Sequence, residues 1–389
     1  MMVSSKGRWI ILAFVLNSLS SCKSLKIAVI GAGASGLAAA KNAIEQGHIV
    51  DVFEKTGQLG GIWYYTDDVG FDEYDVEIHT PMYKQLSATT PCEWMEFPGF
   101  DFQCETETHP DRESVWNYLH AYATYYNITN RLFLHRKVEN VRLMSNGEWE
   151  VFVKNMPDNK QLEKHTYDHI FICSGVASNP RIPTFRDLNL FEGLKIHSRF
   201  YREPETFRGK NVLIIGSGAS SLDITRQLKG VARKVVKSTH STIAPTASPG
   251  SIIIFKGEVR RFGKNAVKFK DGSWEKISVV IFATGYLFDY PFLDSTNSGI
   301  VTNGVYVAPL YRQILNIENP TMAFVGIPTC VRQNPMYDLQ ARFALKFWTG
   351  VKQLPSIDHM MEDANRVANR NHPHKLGLYQ AQYFDELDI

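Results

Sequence analysis

Lys26-Ile-Ala-Val-Ile30 runs straight into Gly31-Ala-Gly33-Ala-Ser35-Gly36, and then into Leu37-Ala-Ala-Ala-Lys41. A β-branched strand, a glycine-rich turn and a small-residue helix, in that order, open a dinucleotide-binding unit. The turn aims backbone N–H groups and the positive end of a helix at a pyrophosphate. The pattern recurs 185 residues later as Asn211-Val-Leu-Ile-Ile215, Gly216-Ser-Gly218-Ala-Ser220-Ser221 and Leu222-Asp-Ile-Thr-Arg-Gln-Leu228. Two such units imply two bound dinucleotides and electron transfer between them.

The residues downstream of each turn separate the two ligands. After the first, the strand Ile49-Val-Asp-Val-Phe53 ends at Glu54, at the distance of about twenty residues where an acid takes a ribose hydroxyl. After the second, Lys234-Val-Val-Lys237-Ser238 leads to Thr239 and His240, with no acid in that place. A carboxylate would repel a 2′-phosphate, whereas Lys237, with Arg233 or Lys234, would attract one. The first site therefore reads as FAD and the second as NADPH. Ser221 stands where a third glycine permits close helix-to-strand packing. A slight shift absorbs the added side chain, so a weaker fit is expected there rather than a lost site.

The chain has 389 residues, enough for two or three domains with real cores, and its 44% hydrophobic and 21% charged content is ordinary for a globular protein. A net charge of +2 gives no basic excess, which leaves nucleic acid unsupported as a partner. Lys6 and Arg8 precede the apolar run Trp9-Ile-Ile-Leu-Ala-Phe-Val-Leu16 and the small residues Ser18-Leu-Ser-Ser-Cys22. That order predicts a secretory signal peptide over residues 1–22, too short to span a bilayer, and hence a protein in extracellular fluid without stable membrane insertion. Asn127-Ile-Thr129 is a glycosylation sequon. Of five cysteines, Cys22 leaves with the signal, and Cys92 with Cys104 can form one disulfide in an oxidising compartment. No two cysteines stand three apart, so the redox pair of a flavin disulfide reductase is missing. Nor is there a cluster of metal ligands.

Gly60-Gly61-Ile62-Trp63 lets the backbone pass close to a cofactor. Ser114 to Tyr126 reads as a helix, Trp149-Glu-Val-Phe-Val153 as a strand, and Tyr167-Asp-His-Ile-Phe-Ile-Cys-Ser-Gly175 as one buried strand ending in glycine. Pro180 and Pro183 then break the chain. A second buried strand ends at Thr284-Gly285, after which the chain returns to the first unit. The expected architecture is α/β with two Rossmann-like domains, the NADPH domain inserted into a discontinuous FAD domain. The expected boundaries are 23–185 and 285–389 for FAD, and 186–284 for NADPH.

Phe191-Glu-Gly193-Leu-Lys-Ile-His197-Ser-Arg-Phe-Tyr201 matches the spacing Phe-x-Gly-x-x-x-His-x-x-x-Tyr. This resembles the signature of the flavin-containing monooxygenases, which lies between their two glycine motifs. Gly60-Gly61-Ile62-Trp63, Phe282-Ala-Thr-Gly-Tyr286, Pro309-Leu-Tyr311, Pro320-Thr-Met-Ala-Phe-Val-Gly326 and Leu339-Gln-Ala-Arg342 match as well. With its N-terminal leader the chain looks most similar to the secreted insect members. The resemblance implies hydride transfer from NADPH to FAD and capture of O2 as a flavin hydroperoxide. A soft nucleophile, either a tertiary amine (including an alkaloid) or a sulfide, then takes the distal oxygen. It implies an architectural His197 rather than a general base. The expected cofactor-binding residues are Gly31, Gly33, Ser35, Gly36, Glu54, Gly61, Ile62, Trp63, Ala88, Thr89, Thr90, Gly216, Gly218, Ser220, Ser221, Lys237, Thr284 and Gly285. The partners are a small-molecule substrate and O2, with a homo-oligomer allowed. Tyr83-Lys-Gln-Leu86-Ser-Ala88-Thr89-Thr90-Pro91 aligns with the family segment Tyr-x-x-Leu-x-Thr-Asn-x-Pro, so Thr89 occupies the asparagine position and is the catalytic candidate. Val176 likewise replaces a frequent histidine. A hydroxyl offers one donor with shorter reach than an amide. The rival readings are an uncoupled NADPH oxidase releasing H2O2 and an inactive flavoprotein paralogue.

Overall fold

The computed structural model describes residues 24–103, 108–158, 161–239 and 251–388. The proposed signal segment, Cys104 and His240 lie outside them. The first unit is β1 (Lys26–Ile30), α1 (Ala34–Glu45) and β2 (Ile49–Phe53). They are joined by α2 (Arg112–Tyr125) and β3 (His169–Ile172). β1 lies parallel between β2 and β3. The seven-stranded sheet built on them is completed by Leu310–Tyr311, Leu315–Asn316 and Met322–Phe324, beside β3, and by Leu132–Phe133, beside β2. Segments before and after the second glycine motif thus share one sheet.

The second unit is β4 (Leu194–His197), β5 (Asn211–Ile215), α3 (Ala219–Gln227), β6 (Lys234–Ser238) and β7 (Val279–Phe282). With Ile253–Lys256 they make a five-stranded sheet in which every pairing is parallel. Both sheets bury both faces, which is why their strands read as continuous apolar runs rather than alternating ones. In the first, Ile27, Val29, Val50 and Val52 pack with α1, while Ala28, Ile30, Phe53 and Ile172 pack against the antiparallel strands Arg136–Leu143 and Trp149–Asn155. In the second, Val212, Ile214 and Val235 meet Ile224 and Leu228 on the α3 side. Leu213, Val236 and Phe282 meet Phe262, Val267 and Phe269 on the other.

The two chain crossings between the units pair with each other: Asn179–Pro180 runs antiparallel to Tyr286–Leu287. The Arg181 N–H donates to Gly285 O at 2.9 Å, and the Thr284 hydroxyl donates to Arg181 O. Helix α1 is held to α4 (Gln333–Trp348) through Asn42, whose Nδ2 donates to Asp338 Oδ1 at 2.7 Å.

One strand differs from the sequence reading. Tyr167 to Gly175 is not continuous, because Tyr167 closes the antiparallel strand Gln161–Tyr167 and β3 starts at His169. Asp168 makes the corner, accepting the Lys26 N–H on Oδ2 at 2.7 Å, so a polar residue is pinned where periodicity saw only a run. Helix α2 begins two residues earlier than the apolar pattern indicated because Asp111 caps it, accepting the Ser114 N–H at 2.7 Å.

Hydrogen bonds from Ser114 hold the Asp111 carboxyl below its ordinary value of 3.8. A lowered folded-state pKa adds stability above that ordinary value and loses it as pH falls further. Asp111→Ala is therefore expected to cost about 1 kcal/mol at neutral pH. The difference from wild type should narrow as the pH is taken below 3.8 in denaturant titrations.

Candidate functional site

Both glycine turns stand at the carboxyl ends of their parallel strands, where α/β sheets bind ligands. Gly31 has φ +107°, and a Cβ there would sit 2.5 Å from Cys173 O. At Gly36 it would sit 1.9 Å from Gly31 O, so α1 packs on the turn only with glycine there. The pair Gly60-Gly61 lies against this turn: the Gly60 N–H donates to Ala32 O at 2.9 Å. A Cβ on Gly61 would lie 2.9 Å from Gly33 Cα. In the second unit Gly216 has φ +141° and leaves a Cβ only 2.1 Å from Ala283 O. Ser221, at the third-glycine position, is fully buried, and its Oγ donates to Gly216 O at 2.8 Å. The extra side chain is thus absorbed into the turn by a hydrogen bond.

Helices α1 and α3 start at Gly33 and Gly218, with no side-chain cap and no acid in the first turn. Their exposed N–H groups and dipoles suit two phosphate-bearing ligands. A Cβ on Gly218 would meet nothing within 4 Å. Glu54 is buried at the end of β2; Oε2 accepts the Ala32 N–H at 3.0 Å and Oε1 accepts the Thr56 N–H at 3.0 Å and hydroxyl at 2.9 Å. A carboxylate has about four acceptor positions, so capacity for a ribose hydroxyl remains. These features fit FAD at the first turn and a nicotinamide dinucleotide at the second.

A single cavity of about 960 Å³ joins the two. Of the residues expected at the site it is lined by Gly31, Gly33, Ser35, Glu54, Gly61, Ile62, Trp63, Ala88, Thr89, Thr90 and Ser220. Thr89 is exposed into it, whereas Ala88 is buried, its N–H donating to Pro110 O at 2.8 Å. The other expected residues, Gly36, Gly216, Gly218, Ser221, Lys237, Thr284 and Gly285, are not among the described lining residues. Lys237 is buried on the α3 face of β6, where burial and Arg226 lower the pKa of its ammonium. Arg233 and Lys234 lie at the other end of that strand. Lys234 pairs in register with Asn211 rather than with the residues beside Gly216, and its Nζ meets Glu275 at 2.8 Å. Neither reaches the second turn, which corrects the reading that they assist Lys237. His197 Nε2 lies 3.0 Å from Gly285 O and Nδ1 accepts the Arg199 N–H at 3.2 Å. Burial lowers its pKa to about 4. It is a neutral brace at the crossing between units, in line with the architectural role the resemblance implies.

Sequence reading missed the third wall. The segment from Tyr64 to Pro91 crosses the cavity and is held down by arginines in and beside the signature. Arg199, 1% exposed, donates to Ser178 O and to Ile78 O at 2.9 Å and meets Glu77 at 2.7 Å. Arg202 donates to Met82 O at 3.2 Å and Asp68 O at 2.9 Å. Tyr83, which opens the segment containing Thr89, donates to Asp223 on α3 at 2.5 Å. Asp223 also accepts from Gln227, whose Oε1 accepts the Tyr201 hydroxyl at 3.0 Å. Lys55 and His79 line the same wall, and burial lowers both pKa values, that of His79 far below its usual range. The placement of two arginines around the end of the signature was the available signal.

Residues 24–244 and 244–388 match the model of the flavin-binding monooxygenase-like family. The chain belongs to this family. Senecionine N-oxygenase of Tyria jacobaeae is 33% identical over 86% of this chain and 74% of its own length. The Arabidopsis thaliana flavin-containing monooxygenase FMO GS-OX-like 4 is 31% identical over 94% and 87%. Among solved structures, S-allyl-L-cysteine S-oxygenase from Allium sativum superposes with a TM-score of 0.87 at 27% identity, covering 94% of this chain and 88% of that one. Cyclohexanone monooxygenase, at 14% identity and a TM-score of 0.64, shares the fold. The protein is thus a flavin-containing monooxygenase that uses FAD and NADPH.

The open space at Gly218 provides a test. Gly218→Ala is expected to fold and retain flavin like wild type. A methyl group at the phosphate approach should raise the KM for NADPH several-fold. Flavin absorbance of the purified variant and steady-state kinetics check both outcomes.

Proposed function

We propose that this flavin-containing monooxygenase oxygenates the nitrogen or sulfur of a soft, uncharged nucleophile, a tertiary amine or a sulfide. Bound FAD, reduced by NADPH, supplies an electrophilic oxygen atom derived from O2. One oxygen atom ends on the substrate as an N-oxide or sulfoxide. The other leaves as water, with two electrons from NADPH and one added proton closing the balance.

The observation that carries this reading is the shared cavity, which brings the two turns and Thr89 together. There the Gly31–Gly36 turn would hold the flavin pyrophosphate and Glu54 the ribose. The Gly216–Ser221 turn, which meets the cavity through Ala219 and Ser220, would present the nicotinamide dinucleotide, and the wall fixed by Arg199 and Arg202 would exclude water. Lone pairs of neutral amines and sulfides are the nucleophiles, so no general base is required, consistent with a His197 held neutral at the crossing.

A second reading, release of H2O2, is supported by Thr89. Its single hydroxyl stands where the family segment carries an amide, and Ala88 beside it adds no side-chain donor. We infer also that the chain enters the secretory route. The support is the N-terminal order of charge, apolar run and small residues, together with a disulfide bond at Cys92. No helix among the described residues is long and apolar enough to cross a membrane.

Peroxide and oxygenated product are to be measured per NADPH consumed, with a tertiary amine or sulfide present. Product without substantial peroxide supports oxygenation; peroxide alone supports the oxidase reading. Losing one preorganised donor facing developing charge costs about 3–4 kcal/mol in oxyanion holes, and a water recruited beside Thr89 would reduce that loss. Thr89→Asn is therefore expected to lower the peroxide fraction and raise product per NADPH. An unchanged or larger leak would show that another group serves this position.

A further inference from the structure

Asn127-Ile128-Thr129 is the one Asn-x-Ser/Thr triplet of the whole sequence in which the middle residue is not proline, Asn319-Pro-Thr321 being excluded on that ground. The fold presents it in the form a carbohydrate requires. Helix α2 ends at Tyr125, and Asn127 turns the chain outward with φ +57°. Asparagine tolerates this left-handed conformation better than most side chains. The turn is anchored on both sides: the Asn127 N–H donates to Thr124 O at 3.1 Å, and the Ile128 N–H donates to Ala123 O at 2.8 Å. Ile128 is fully buried in the core, while Asn127 and Thr129 are exposed. The chain thus fixes its apolar residue inward and turns both sequon side chains to solvent.

The amide itself is available. Asn127 Oδ1 accepts only a long bond from Asn130 Nδ2 at 3.4 Å, and among the described residues nothing accepts from Asn127 Nδ2. Asn319, by contrast, donates its Nδ2 to Ser298 O at 2.9 Å. Two residues before Asn127 stands Tyr125, 71% exposed. Its ring offers an apolar face on which a first sugar can lie and so cover surface now left to water. Asn127 is not among the cavity-lining residues, so a large polar group there leaves the active-site mouth open.

We propose that Asn127 carries an N-linked glycan. The proposal rests on the secretory reading above. In the lumen, a lipid diphosphate-linked oligosaccharide is the donor. The Asn127 Nδ2–C1 bond forms, the bond from C1 to the phosphate oxygen breaks, the proton leaves Nδ2, and the lipid diphosphate departs. No redox change occurs. The disulfide at Cys92 accords with the oxidising compartment where that donor is found.

The full chain is to be expressed in insect cells, with medium and cytosol recovered separately. Digestion with peptide-N-glycosidase F in heavy-oxygen water is then coupled to peptide mass spectrometry. The expected result is secreted protein that loses one glycan on digestion, with Asn127 converted to labelled aspartate. Asn127→Gln and Thr129→Ala should remove the shift and Thr129→Ser should keep it, with NADPH turnover unchanged in all three. Secreted protein with unmodified Asn127 overturns the glycan while leaving secretion standing. Protein retained in the cytosol without a glycan overturns both. In either case the monooxygenase assignment, read from turnover, is unaffected.

Discussion

Arg199 carries a full positive charge at 1% exposure, and the geometry of the cavity depends on how that charge is satisfied. A buried guanidinium without partners costs several kcal/mol. Here it is met by two main-chain oxygens and a carboxylate: Ser178 O from the crossing between units, and Ile78 O and Glu77 from the segment over the cavity. One side chain therefore ties together three pieces of chain that no regular sheet joins. Arg202 repeats the device on Met82 and Asp68. The hydrogen bond from Tyr83 to Asp223 fastens the same segment to the helix of the second glycine turn. Without these ties the two turns would sit on separate sheets with no shared wall between them.

The local parts of this arrangement were legible in the sequence, and the long-range parts were not. Gly31, Gly36, Gly216 and Glu54 could be read because strand, turn and helix are neighbours along the chain. The steric reason at Gly36, where a Cβ would lie 1.9 Å from Gly31 O, is local as well, whereas those at Gly31 and Gly216 come from Cys173 O and Ala283 O, far along the chain. Lys237 shows the limit. Its charge suggested a phosphate contact, but on β6 it shares the face of Val235, which packs with Ile224 of α3 and Leu228 just beyond it. Strand alternation thus sends Lys237 under the helix. Arg233 and Lys234 belong to the other end of the strand, which composition cannot reveal. Thr284 and Gly285, expected near a cofactor, instead bond to Arg181 and His197 at the crossing. Arg199 went unread because its partners lie 21 and 121 residues away.

The signature that marks the family thus has a physical reading in this chain. Gly193 is required because a Cβ would lie 2.5 Å from both the Phe191 ring and Ser278 O. His197 braces Gly285, and Tyr201 holds Gln227, which holds Asp223. His197 and Tyr201 support the relation between the two units and Gly193 the packing within the second, and none of the three lines the cavity. Chemistry is left to the cofactors, and the departures at Ala88 and Thr89 fall in the lining of the cavity that the two turns share.

The central claim is that the two turns deliver electrons to one another across this cavity. The direct measurement is the absorbance of the bound flavin after anaerobic mixing with NADPH, and separately with NADH. The account predicts that NADPH bleaches the oxidised flavin band more readily than NADH, and that admitting O2 restores it. Flavin that stays oxidised under saturating NADPH, in protein shown to bind the nucleotide, would contradict it.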